Sequence, residues 1–195
     1  MAKIEVGMIY KAFFGGETEC GDIGFIKEEG NRCFLALIDI LGHGSEARKV
    51  ALYAKAFLEN NYDKDIIYVM NGLHEHLKGT RGAVAAICNL DILTGEMCYV
   101  GVGNITVRIM GTKLIRLVPR DGVIGYSMAK PQKQFFKFHG GEILLLHSDG
   151  IREHFDSFEC TDLLIESAED IAEGILKRFE KKDDDASCIV LKYSI

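Results

Sequence analysis

The sequence ALIDILGHGSEA, residues 36–47, joins an apolar segment typical of a buried strand to a segment with helical spacing. Between the two segments lie one aspartate, Asp39, and two glycines that flank His43. Burial of an unpaired carboxylate costs free energy unless a partner or a metal ion compensates its charge. We therefore expect other parts of the chain to supply a partner for Asp39.

The composition indicates a single globular domain over residues 1–195. Hydrophobic residues make up 48% of the chain, which is enough for one substantial core, and no linker-like tract interrupts them. The formal net charge is -6 and no basic stripe is present, so we expect neither nucleic acid nor a membrane surface as a partner. Because the sequence has neither a cleavable leader nor an apolar run of membrane-spanning length, we expect a cytoplasmic protein.

Three helices are predicted from the spacing of apolar residues. Ser45 is expected to cap the first helix, and the second fits residues 63–78. The third begins near Ser167, whose spacing to Asp170 resembles a capping box.

The strands are expected to form antiparallel sheets. From Gly82 onward, short β-rich runs separated by turns predict a meander, and QFFKF and EILLLHS predict a hairpin around residues 139–141. Several strands are continuously apolar, which implies that both of their faces are covered. The expected class is α+β: an αββα sandwich of two mainly antiparallel sheets flanked by helices.

Acidic residues recur where an apolar strand meets a glycine or a sharp turn. They are Asp22, Asp39, Asp149, and Asp184 with Asp185. If the strands that carry them are neighbours, the carboxylates converge on one edge of the sandwich and repel one another unless cations neutralise them. No His or Cys accompanies these acids at ligand spacing, and such a set of oxygen ligands suits Mg²⁺ or Mn²⁺ better than zinc.

Three of these acidic segments also resemble signature blocks of a known family. DILGHGSEA, HSDGIRE and DDAS, in this order, look like the blocks of the metal-dependent protein phosphatases (the PPM family). The nearest branch is the SpoIIE-type bacterial serine/threonine phosphatases, and within it the short, stand-alone RsbX-type enzymes that act on stressosome proteins. The resemblance extends from the Gly21-Asp22 pair to the last strand, and it implies a centre of two divalent cations, Mn²⁺ or Mg²⁺.

The resemblance implies a role for each acidic position. The metal ligands would be Asp22, Asp39, the backbone carbonyl of Ile40, Asp149 and Asp184. Asp39 would bridge the two ions and Asp22 would hold the second one. In the DDAS block, Asp185 is the alternative to Asp184.

A mechanism follows from such a centre. Two metal ions about 4 Å apart lower the pKa of a shared water and hold it in line with the phosphorus, with no covalent enzyme intermediate. Asp39 and Asp149 would be catalytic through the ions that they hold. His43 is the nearest candidate in sequence for the proton donor to the leaving alkoxide.

The sequence departs from the pattern of animal family members at two positions. Thr18 stands where those members carry an arginine that grips the substrate phosphate, so phosphate binding would rest on the metals or on another residue. Asn104 stands where they carry an aspartate that recruits a third metal. A neutral amide is a weak ligand, so we expect two tightly bound ions and no strong third.

The resulting prediction is a metal-dependent phosphoserine and phosphothreonine protein phosphatase. By the same resemblance, its substrates would be STAS-domain proteins of a stressosome. One alternative is a non-catalytic pseudophosphatase that only binds a phosphoprotein, although such a protein is expected to have lost one or more of the acids. A second alternative is a small-molecule phosphatase.

Overall fold

A computed structural model describes residues 2–14, 16, 19–153, 155 and 163–195. The strands and helices follow one another as β1 (Lys3–Lys11), β2 (Asp22–Glu29), β3 (Arg32–Ile40), α1 (Ser45–Glu59), α2 (Ile66–His76), β4 (Ala83–Asp91), β5 (Glu96–Val102), β6 (Thr106–Met110), β7 (Ile115–Leu117), β8 (Gly122–Val123), β9 (Ser127–Met128), β10 (Gln134–Lys137), β11 (Ile143–His147), α3 (Ala168–Phe179) and β12 (Ala186–Ser194).

Two five-stranded antiparallel sheets form the centre of the molecule. The first has the order β1-β12-β11-β6-β7, the second has the order β10-β5-β4-β3-β2, and β8 pairs with β9 in a small separate hairpin. Helices α1 and α2 pack on the second sheet, and α3 packs on β1 and β12 of the first. This arrangement confirms the predicted α+β class and the αββα sandwich.

The apolar residues divide into three cores because the central strands are covered on both faces. Alternate residues of β3 point in opposite directions: Phe34 and Ile38 pack beneath α1 and α2, whereas Leu35 and Leu37 pack between the two sheets. A third core lies beneath α3 and includes Ile171 and Val190. The continuously apolar strands of the sequence are therefore explained by burial on both sides.

The helix ends agree with the sequence in part. Ser167 caps α3 as predicted, since its hydroxyl oxygen accepts a hydrogen bond from the Asp170 backbone N–H at 3.1 Å. At α1, the prediction of a Ser45 cap is wrong: Gly44 is the N-cap residue, with φ of 83°, and none of the described side chains caps the helix. Glycine adopts this left-handed conformation without steric cost, so the chain can turn sharply into α1.

Two predicted strand pairings are wrong for a common reason. The chain leaves the second sheet after β5 and enters the first sheet at β6, so the meander is interrupted at residues 103–105. Strand β10 pairs with β5, whereas β11 pairs with β6 and β12, so β10 and β11 do not form a hairpin. Strands in both stacked sheets have the same pattern of apolar residues, and sequence proximity alone does not assign two strands to one sheet.

None of the described helices has the length and hydrophobicity needed to cross a membrane.

Candidate metal centre

The second sheet contributes two opposed aspartates. Asp22 is the first residue of β2, Asp39 is the penultimate residue of β3, and the two are direct partners in the antiparallel ladder. Directly opposed residues have Cβ atoms about 4.5–5.5 Å apart, and like charges in this position are destabilising. The pair therefore requires a proton or a cation between the carboxylates.

The first sheet brings two further aspartates to the same place. Asp149 follows β11 and Asp184 precedes β12, and these strand ends are adjacent because His147 pairs with Cys188. Burial raises the pKa of Asp39 well above its usual range, and the charges of Asp22, Asp149 and Asp184 raise it further. The four predicted acids, which are distant in sequence, thus lie together at one edge of the sandwich.

Asp22 is the most deeply buried of the four acids. Its side chain is 1% exposed, and within the described residues neither carboxylate oxygen has a hydrogen-bond partner. Burial raises the pKa of Asp22, and the nearby hydroxyls of Ser148 and Ser187 oppose that rise. A buried carboxylate with two unsatisfied oxygens is costly, and a cation in contact with it would remove that cost.

Asp184 and Asp185 differ in what their carboxylates already bind. Both oxygens of the buried Asp185 are occupied, since Oδ1 accepts from the Phe13 N–H at 2.7 Å and Oδ2 from the Gly21 N–H at 2.6 Å. Asp184 is exposed, and one of its oxygens accepts from the Asp185 N–H at 2.9 Å. The geometry therefore leaves Asp184 available to an ion, whereas Asp185 fixes the backbone that leads into Asp22.

An open cleft of ≈ 510 Å³ lies over the acids. Its polar lining residues are Asp39, Asn104, Asp121, Asp149 and Asp184. Asn104 donates a hydrogen bond from Nδ2 to Asp149 Oδ2 at 2.8 Å, so it orients a predicted ligand. Asp121, on the loop between β7 and β8, was not singled out from the sequence, because that loop carries no strand-end pattern.

The glycine turn after Asp39 forms one wall of this cleft. Gly42 has φ of 81°, and the Leu41 N–H donates to the Gly82 carbonyl at 3.1 Å, which joins the turn to the start of β4. A Cβ atom at Gly42 would lie 2.4 Å from Nη2 of Arg81. The guanidinium group of Arg81 therefore lies directly against the turn.

His43 and Ile40 lie beside the acids, and Thr18 lies outside the described residues. The His43 ring packs against Phe13 and Phe14, with ring centroids 5.6 and 5.5 Å away. Burial raises the pKa of Asp184, whereas the hydrogen bond from the Asp185 N–H and, to a lesser degree, the charge of His43 lower it. Ile40 is buried at the end of β3, where it pairs with Ala83.

The acids suit a hydrated divalent cation better than a closed protein cage. In the described part of the chain, no three His, Cys, Asp or Glu side chains are close enough to hold an ion by themselves. Mg²⁺ usually keeps several waters and binds through only one or two carboxylates. An open, acid-lined cleft, with the buried and unsatisfied oxygens of Asp22 opposite its lining residue Asp39, fits an ion of this kind.

Comparisons with known proteins agree with this architecture. The family model described as Stage II sporulation protein E (SpoIIE) matches residues 29–194. The phosphoserine phosphatase RsbX of Bacillus subtilis (strain 168) is 26% identical over 193 residues, which cover 94% of this chain and 92% of RsbX.

Solved structures give the same result. A chain from the study "The bacterial stressosome: a modular system that has been adapted to control secondary messenger signaling" is 33% identical, with a TM-score of 0.89 and coverage of 97% of this chain and 100% of that one. The crystal structure of RsbX in complex with magnesium has a TM-score of 0.82 at 22% identity, with coverage of 99% and 96%. The chain therefore belongs to the SpoIIE family of PP2C-type protein phosphatases.

Proposed function

We propose that this chain uses two divalent cations, Mn²⁺ or Mg²⁺, to hydrolyse phosphoserine or phosphothreonine in STAS-domain proteins of a bacterial stressosome. The observation that carries the proposal is the buried carboxylate of Asp22, which has no hydrogen-bond partner among the described residues and lies opposite Asp39, a lining residue of the cleft. Two relatives support the choice of substrate, since RsbX is a phosphoserine phosphatase and another similar chain comes from a stressosome study. The action on such proteins would take place in the cytoplasm.

The residues that would hold the ions are Asp22, Asp39, the Ile40 carbonyl, Asp149 and Asp184. Asp39 lies opposite Asp22 in its own sheet and lines the cleft together with Asp149 and Asp184 of the other sheet, which suits the bridging position. When bound, the cations would supply an activated water and would neutralise charge on the phosphoryl oxygens. The RsbX structure in complex with magnesium supports the choice of a hard divalent ion.

The remaining residues of the site position these ligands and move a proton. Asn104 holds one oxygen of Asp149, and Asp185 holds the backbone on either side of the loop before Asp22. As the oxygen of water bonds to phosphorus, the ester P–O bond breaks and the serine or threonine oxygen takes a proton. His43, beside Asp184 and exposed to solvent, is our candidate for the donor of that proton.

Hydrolysis by purified protein tests this proposal. With Mn²⁺, a phosphorylated STAS-domain protein should release inorganic phosphate, whereas Asp39→Asn and Asp149→Asn should each lower turnover by about 100-fold or more. Asp91→Asn is a matched control, because Asp91 is the last residue of β4, does not line the acidic cleft, and its carboxylate accepts from the Thr94 N–H. Binding of the phosphoprotein without turnover under any divalent ion would contradict the proposal, and so would faster turnover of phosphorylated metabolites than of phosphoprotein.

A further inference from the structure

The cleft presents an electrostatic problem for its proposed substrate. A phosphorylated serine carries a charge of about -1.5 to -2 at neutral pH, and it must approach a wall formed by Asp39, Asp149, Asp184 and Asp121. The cations of the proposed centre would offset part of this negative charge when bound. A cationic side chain at the rim would bring the phosphate to the ions and hold it in one orientation.

Arg81 is placed to do this. Its guanidinium lies against Gly42, which lines the cleft together with Asp39 and Asp149. The contact depends on glycine, since a Cβ at Gly42 would meet Nη2 of Arg81 at 2.4 Å. The turn thus leaves room for a guanidinium group where any other residue would place a side chain.

The backbone that carries Arg81 is held on both sides. The Thr80 hydroxyl donates to the Leu77 carbonyl at 2.7 Å and accepts from the Gly82 N–H at 3.2 Å. Ala83 and Ile124 exchange two backbone hydrogen bonds of 3.0 and 2.8 Å. Arg81 therefore extends from a fixed base, although its side chain reaches solvent.

The guanidinium group has capacity for a ligand. In the part of the chain that the structure describes, Arg81 forms no hydrogen bond or ion pair. The hydrogen bond and charge of Lys49 lower the pKa of Glu46, and the charge of Arg81 lowers it to a lesser degree. The planar fork of an arginine matches two phosphoryl oxygens, which a lysine ammonium does not.

A second cationic region lies on the far side of Asp184. Lys11 and Lys182 line a separate cavity of ≈ 260 Å³ that includes Asp184 but neither Asp39 nor Asp149. Lys11 is already paired with Glu180 at 2.6 Å. Among the residues that the structure describes, Lys182 is the lysine of this cavity without an ion pair, and it lies at the edge of the acid cluster, whereas Arg81 lies against the turn that follows Asp39.

We infer that Arg81 binds the substrate phosphate, with its terminal guanidinium nitrogens directed to two phosphoryl oxygens at the Gly42 side of the cleft. This inference rests on the proposed function, because it assigns the phosphate-binding residue of the same site. It also names a phosphate-binding residue for a chain that has Thr18 at the position where animal family members carry the phosphate-binding arginine.

Calorimetric titration with inorganic phosphate, at saturating Mn²⁺, tests the inference without requiring turnover. Arg81→Ala should weaken phosphate binding by about tenfold or more, as expected for the loss of charge-assisted hydrogen bonds, and Arg81→Lys should recover only part of the affinity. Lys78→Ala and Lys182→Ala are matched controls that each remove one positive charge. Lys78 is exposed and paired with Glu75 at 2.7 Å.

The controls should remain within about twofold of the wild-type phosphate affinity, since neither ammonium group lies against the turn. Unchanged phosphate affinity in Arg81→Ala would overturn the inference, as would a larger loss in Lys182→Ala or a wild type that does not bind phosphate. Mn²⁺ affinity and the thermal midpoint should be unchanged in Arg81→Ala, which separates phosphate binding from a structural role.

The proposed function is tested separately by wild-type turnover. A wild type that dephosphorylates a phosphoprotein, together with an unaffected Arg81→Ala, refutes only the role of Arg81. A wild type that binds phosphate through Arg81 but releases none from a phosphoprotein refutes only the proposed function.

Discussion

The two sheets contribute unequal halves to the acidic cleft. In the half from β2 and β3, Asp22 is 1% exposed, and within the described residues its oxygens have no hydrogen-bond partner. In the half from the ends of β11 and β12, Asp149 and Asp184 reach solvent. Asp149 accepts a hydrogen bond from Asn104, and Asp184 accepts one from a backbone N–H. Water can stabilise the second half, but in the first half it does not reach Asp22.

Because of this difference in exposure, the two halves compensate the charge of their carboxylates in different ways. A carboxylate in the open half can remain charged without an ion at small cost, because solvent screens it. The buried carboxylate of Asp22 must take a proton or a cation, because the nearby hydroxyls of Ser148 and Ser187 offset only part of its desolvation. The buried half should therefore couple metal binding to folding stability, whereas the open half should affect metal binding and turnover alone.

The largest effect on stability should come from Asp185, which joins the two halves. Asp185→Ala leaves the N–H groups of Phe13 and Gly21 without their acceptor. Two charge-assisted hydrogen bonds are lost, one buried and one partly buried, so we expect the free energy of unfolding without metal to fall by about 3 kcal/mol or more. Urea denaturation measures this fall.

Two neighbours of Asp185 serve as controls for this prediction. Asp183→Ala and Asp184→Ala remove exposed carboxylates and should each change stability by less than about 0.5 kcal/mol. Asp184→Ala should nevertheless lose turnover. Equal stability of all three variants would show that the contacts of Asp185 do not hold the loop, and the distinction between Asp184 and Asp185 would fail.

The sequence predicted which acids lie at the site better than it predicted the hydrogen-bond partners of these acids. Asp22, Asp39, Asp149 and Asp184 were identifiable because a carboxylate at the end of an apolar strand is unusual, and that signal is local. The roles of Asp184 and Asp185 could not be separated, because the distinction depends on N–H groups more than 160 residues away in the chain.

The errors in the fold have the same origin. Strands β10 and β11 are consecutive in the chain, but they belong to different sheets, and only long-range pairing reveals this. The proximity of Arg81 to Gly42 was also hidden, because 38 residues and two helices separate them. Only the glycine itself gave a signal, as a position where the backbone must turn.

The next largest effect concerns the buried half and has a defined pH dependence. Burial raises the pKa of Asp22 to about 7, whereas in the unfolded chain it is about 4. The folded state therefore retains a proton that the unfolded state loses, so the metal-free protein should lose stability as pH rises from about 4 to 7. Asp22→Asn should flatten this decline, which thermal unfolding in EDTA measures.

Metal ions should reverse the decline in the wild type. At Mg²⁺ concentrations about 100 times Kd, ion binding adds about 2.7 kcal/mol to the free energy of unfolding. Asp22→Asn should gain much less, whereas Asp184→Asn, in the open half, should retain the pH-dependent decline seen without metal. If Asp22→Asn and the wild type have the same pH profile, Asp22 is not the group that couples metal binding to stability.

The smallest effect should come from Asn104, in the open half. Asn104→Ala removes the hydrogen bond to Asp149 at a site where water can replace it, so we expect stability to change by about 0.5 kcal/mol or less. Mg²⁺ affinity, measured by calorimetry, should fall by up to about tenfold, because a residue that orients a ligand tunes the ion without contacting it. Asn31→Ala, on the exposed β2–β3 turn, is the control and should leave affinity unchanged. A loss of stability in Asn104→Ala as large as that in Asp185→Ala would mean that the open half also depends on buried contacts, and the contrast between the two sheets would no longer explain the site.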